Sequence, residues 1–156
     1  MKQKIDKMLG GVLVTLMAIM LVSVLWQVFS RYVLNDPSSM TDELARFLLI
    51  WIGILGAAYA SGQKLHIAID ILPQKLSTKN KYKMSVLHNV LIILFAIAAL
   101  IIGGSRLVYI TETLDQHSPA LDLPLSIVYL VVPISGLVVT FYKALEIINL
   151  KKLNHD

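Results

Sequence analysis

Apolar positions along the chain gather into four long uncharged runs, covering residues 8–30, 47–63, 84–105 and 123–142. None of them alternates like a half-buried strand, and none shows the polar face of a soluble helix. At about 1.5 Å per residue the shortest run spans roughly 25 Å and the others about 30 Å or more, against a hydrocarbon core of about 30 Å. The pattern predicts an all-α integral membrane protein, one four-helix domain over residues 1–156, with helices at about 8–31, 40–62, 83–106 and 123–146.

Polar positions punctuate these runs. Asn35-Asp36-Pro37-Ser38-Ser39 is a turn by composition. Ser39 with Asp42 three residues later matches a helix-start box, and Gly62 suits a C-terminal cap. Pro124 fits the first turn of the fourth helix, while Pro133 inside it should kink it or free a carbonyl. Residues 63–83 carry five lysines interrupted by Ile67, Ile69, Ile71 and Leu72. This pattern predicts a short amphipathic segment lying on the membrane surface, its lysines against phospholipid headgroups. The first run has a basic start, as a signal peptide does, but it is long and ends in bulky residues. It reads as a retained helix with Trp26, Phe29 and Tyr32 at the far interface.

Composition agrees with the pattern. Hydrophobic residues make up 56% of the chain and charged ones 15%, with a mean hydropathy of +0.72. That is too apolar for a soluble domain of this size. The absence of cysteine rules out a disulfide framework and a thiolate metal site. A net charge of +4 could point to nucleic acid, but its distribution points to membrane topology instead. Lys2, Lys4 and Lys7, five lysines between positions 64 and 83, and Lys143, Lys151 and Lys152 account for 11 of the 14 basic residues. Only Arg31, Arg46 and Arg106 fall in the alternate segments, so the positive-inside rule places both termini in the cytoplasm.

Transport or catalytic chemistry inside the bilayer calls for an ionisable group facing a cavity, and none of the four runs has one near its middle. Nor are there two matched broken helices. No enzyme motif and no cofactor or metal site is expected. An alternative of a different class is a four-helix anchor or haem-binding, cytochrome-like subunit of a redox complex, with His66 and His88 as axial ligands. Against it, both histidines read as interfacial.

The outer end of the second helix is the candidate contact site. Asp42 and Arg46 are four apart and Glu43 and Arg46 three, so either acid can pair with the arginine. Gly53, Ala57 and Ala60 lie within about 40° of Arg46 on the helix, forming a small-residue seam. The seam faces protein, either another helix of this chain or a partner subunit.

Thr41-Asp42-Glu43-Leu44-Ala45-Arg46, Trp51, Gly56-Ala57-Ala58-Tyr59-Ala60 and His66-Ile67-Ala68-Ile69-Asp70 together resemble the small membrane subunit (Q, or DctQ-like, component) of TRAP transporters. Ser118-Pro119-Ala120-Leu121-Asp122-Leu123-Pro124, with Tyr129, Pro133 and Gly136, is similar to the start of that family's last helix. Asp122 departs from the small residue expected before the Leu-Pro pair. The resemblance implies a separate small subunit of a sodium-coupled, tripartite importer of organic acids such as C4-dicarboxylates or sialic acid, in a bacterial inner membrane. The implied partners are a large membrane (M) subunit, which carries the substrate and sodium sites, and a periplasmic substrate-binding (P) protein. The small subunit would brace the large one.

Overall fold

The computed structural model describes residues 2–63 and 78–153. Helix α1 runs Lys2–Tyr32 and α2 runs Ser39–Gly62. Helix α3, Thr78–Phe95, continues without a break into a π-helical stretch, Ala96–Gly103, and then into α4, Gly104–Thr113. Helix α5, Leu125–Tyr129, precedes α6, Val131–Leu153. Four segments are long and apolar enough to cross a membrane: Lys2–Tyr32, Ser39–Gly62, Tyr82–Thr113 and Leu125–Lys151. Among the described residues there is no strand beyond an isolated bridge between His117 and Pro124. The chain is thus an all-α, four-helix, multi-pass membrane protein. Of the surface segment expected over residues 63–83, residues 78–83 form the first turns of α3, and the part with His66, Asp70 and Pro73 lies outside the described residues.

Helix ends overrun the apolar runs. α1 begins at Lys2 and α6 continues to Leu153. Lysine, glutamate, glutamine and leucine are good helix formers, so the change from apolar to polar marks the depth of the membrane and not the end of the helix. The fourth span does break, but at Leu130, three residues before Pro133. Proline has no N–H to give the carbonyl of Tyr129, and the turn tightens there. The Leu130 amide is shared between Ser126 O (3.0 Å) and Ile127 O (3.3 Å).

α1 packs on α2, α2 on α6, and α6 on α3 and the π stretch. Leu9, Leu55, Val131 and Tyr142 form the buried centre, with Ile5, Trp51, Ile54 and Phe141 around them. Most other large apolar side chains face outward; Val14, Val22 and Phe95 are 67%, 66% and 64% exposed. In water each would forgo about 1.5–3 kcal/mol of burial, whereas in lipid the exposure costs nothing.

Two glycines fix the contact of the third span with the fourth. A Cβ on Gly104 would lie 2.8 Å from Val132 Cγ1 and 3.0 Å from Pro133 Cδ. One on Gly136 would lie 2.8 Å from both Leu100 Cβ and Ile101 Cγ1. Gly136→Val should therefore push α6 off the π stretch and cost about 1–3 kcal/mol, read as an earlier thermal unfolding midpoint in detergent. An unchanged midpoint would mean that the two helices can separate freely.

Candidate subunit-contact site

The N-terminal end of α2 is built by a turn whose capping differs from the sequence expectation. Ser38, not Ser39, is the residue before the first helical turn (φ −76°, ψ 101°), and it makes no side-chain cap. The Ser39–Asp42 box does not form. Instead the Thr41 hydroxyl donates to Ser38 O at 3.1 Å, and Ser38 N donates to Ser30 Oγ at 3.3 Å, tying the turn to the end of α1.

This frees the Asp42 carboxylate for side chains. It accepts from Gln27 Nε2 on α1 at 2.5 Å and pairs with Arg46. Arg46 itself is 71% exposed. Glu43, one position on and so about 100° around the helix, turns the other way. It is buried, and its Oε2 accepts from the backbone amides of Ala120 (2.9 Å) and Leu121 (2.8 Å). The two acids that either could serve Arg46 are thus divided between α1 and the α4–α5 loop.

That loop satisfies most of its amides internally. Ser118 N donates to Leu123 O at 2.9 Å, Asp122 N to Ser118 O at 3.0 Å, Leu123 N to Ser118 Oγ at 3.2 Å and Leu125 N to Gln116 O at 2.9 Å. Pro119 and Pro124 have no amide to satisfy. The amides of Ala120 and Leu121 are those taken by Glu43. Asp122 sits in the left-handed region at φ 51°, where aspartate is among the few side chains tolerated besides none at all. Its Oδ1 lies 3.0 Å from His117 Nδ1. The departure at this position is thereby accommodated.

Trp51 also has a structural partner. Its indole N–H donates to Val128 O at 3.0 Å, just before the helix break. Ser126 Oγ donates to Glu112, joining α5 to α4. Pro133 lies against Gly104.

The small-residue seam has no such partner among the described residues. Gly53 and Ala57 are exposed, Ala60 is half-buried, and nothing lies within 4 Å of a Cβ placed on Gly53 or Gly56. Leu49, between Arg46 and Gly53, is 60% exposed. The buried side of α2 is carried instead by Leu55, Ala58, Ser61 and Gly62. Arg46, Leu49, Gly53 and Ala57 thus form one open face.

The opposite end of the bundle, where α1 begins, holds polar residues that the sequence did not single out. Tyr142 donates to Asp6 at 2.6 Å, joining α6 to the start of α1. Lys143 is buried and its Nζ lies 3.1 Å from Glu146 Oε2. A helical hydrophobic pattern that places position 143 inward was the available signal. His88 is half-buried on α3, and its suggested counterpart, His66, is outside the described residues. No group of three or more metal-ligating side chains occurs among the described residues.

A chain of four membrane-spanning helices, one of them with a face left open among the described residues, is a small membrane-embedded protein. Residues 20–152 match the family model described as tripartite ATP-independent periplasmic transporters, DctQ component, and the chain belongs to that family. It is 31% identical over 140 residues to the sialic acid TRAP transporter small permease protein SiaQ of Vibrio cholerae, covering 90% of this chain and 79% of that one. It is 28% identical over 136 residues to a TRAP transporter small permease protein of Haemophilus influenzae, covering 87% and 83% of the two chains. It is 34% identical over 95 residues to the isethionate TRAP transporter permease protein DctMQ of Oleidesulfovibrio alaskensis, covering 61% of this chain and 15% of that one. The family is a transport component, not an enzyme.

Proposed function

We propose that this chain is the accessory subunit of a sodium-coupled, binding-protein-dependent importer of organic acids, and that it braces the large permease subunit in a bacterial inner membrane with both its termini in the cytoplasm. The observation that carries this reading is the open face of Arg46, Leu49, Gly53 and Ala57. Helices associate in lipid through small residues that let backbones approach, and this face has them where its own chain leaves space. An arginine anchored by Asp42 stands at the outer rim, where a partner's polar groups can meet it. A relative in which the matched region is a small part of a longer permease polypeptide supports packing against a larger permease portion. The sialic acid and isethionate relatives support an organic anion as the cargo, delivered by a periplasmic binding protein.

The test is co-purification with the large subunit. Arg46→Ala and Gly53→Leu should each reduce recovery of the large subunit about fivefold or more. Leucine at position 53 points into open space, so the chain's own fold should survive it. The chain reconstituted alone should take up no organic acid, and sodium-dependent uptake should need the large subunit and binding protein as well. Full partner recovery and full uptake with both variants would remove this face from the interface.

A further inference from the structure

We infer that the outward face of α1 from Lys7 to Leu16 binds one anionic phospholipid of the leaflet in which the N-terminus lies. A groove of about 370 Å³ runs along this face, lined by Lys7, Met8, Gly11, Val12, Thr15 and Leu16. Its floor is at backbone level at Gly11, where an added Cβ would have nothing within 4 Å. The Thr15 hydroxyl is spent on Gly11 O at 3.0 Å, so the floor asks for no polar partner. Met8, Val12 and Leu16 supply apolar walls.

Charge and length both select a lipid. Lys7 closes one end and makes no ion pair among the described residues. Lys4, one turn away, is also exposed, whereas the acid between them, Asp6, accepts from Tyr142 toward the bundle. Cations therefore face out and the anion faces in, which suits a phosphate headgroup. From Lys7 to Leu16 the helix rises about 13 Å, close to half of a core of about 30 Å. One leaflet's headgroup and acyl chain fit that span. A partner helix would need the groove to continue through the second leaflet, but Ile19, Val22 and Trp26 fill that face of the helix beyond Leu16, 44%, 66% and 51% exposed.

The assignment to the cytoplasmic leaflet rests on the orientation proposed above; the groove itself does not. The full-length chain, purified in mild detergent, is offered palmitoyl-oleoyl phosphatidylglycerol or the phosphatidylcholine of the same chains and examined by native mass spectrometry. Wild type should retain one phosphatidylglycerol, preferred about fivefold over phosphatidylcholine. Lys7→Gln should abolish that preference. Gly11→Leu should fill the groove and remove retention of both lipids while helical content stays unchanged. Equal retention by all three proteins, or several equivalents without preference, would overturn the site. Loss of the large permease subunit with Gly11→Leu while the lipid stays bound would assign the face to protein instead. Orientation is read separately, by impermeant maleimide on Gln3→Cys in spheroplasts, since the chain has no cysteine of its own. Labelling there would move the site to the other leaflet without altering the retention result.

Discussion

Glu43→Ala will release the α4–α5 loop from α2 and lower the unfolding midpoint more than any other single change at that end of the bundle. The substitution removes two charge-assisted hydrogen bonds and leaves the amides of Ala120 and Leu121 without an acceptor. Orphaned groups of this kind cost about 1–3 kcal/mol each, so a total of about 3 kcal/mol is expected. Glu43→Gln keeps an acceptor oxygen but loses the charge, and should cost about half as much. Thermal unfolding followed by fluorescence gives the stability, and hydrogen exchange at residues 120 and 121 gives the cause. Amides that stay protected in Glu43→Ala would show that the loop holds its shape unaided.

The second large effect lies at the opposite end of the bundle. Glu146→Leu leaves the buried ammonium of Lys143 without its carboxylate. Breaking a buried pair costs about 3–5 kcal/mol, and the 22% exposure of Glu146 reduces this to about 2–3 kcal/mol. Lys143→Met combined with Glu146→Leu should recover most of the loss, because an apolar pair needs no compensation. A double-mutant cycle on the unfolding midpoint measures the coupling. Purely additive losses would mean that the two side chains do not depend on each other.

The four spans are legible in the sequence because uncharged runs of this length have no other stable home. Asp42 and Arg46 are legible for a similar reason, since spacing on one helix is local. Glu43 is not, because its partners are backbone amides 77 and 78 residues away, and a backbone amide has no letter in the sequence. Pro133 announces a break but not its place, which falls at Leu130 where the missing donor is felt. The buried role of Lys143 is masked by its position just past the fourth apolar run, where a solvated charge is the ordinary outcome. The openness of Gly53 and Ala57 is likewise tertiary. The helical wheel puts them on one stripe, but only the placement of α1 and α6 against other stripes leaves that one uncovered.

The π stretch gives the third span slack in its length at one place. Ala96–Gly103 contains nothing but Ala, Ile, Leu and a terminal Gly, so no residue type there enforces the wider turn. What holds it is the demand at both ends: α3 packs on α6 below, while above it Gly104 meets Pro133 and Glu112 meets Ser126. A wide turn accommodates one residue more than an α turn does, so removing one residue from the stretch would let it relax toward an ordinary α-helix while Gly104 still meets Pro133 and Glu112 still meets Ser126. Removing one from the α turns on either side, which have no such slack, would instead turn everything beyond by about 100° and part both pairs. Relatives with a shorter third span should therefore have lost the residue between positions 96 and 103 and kept the opposing pairs. Over evolutionary time this helix can change its length by one letter, but only there.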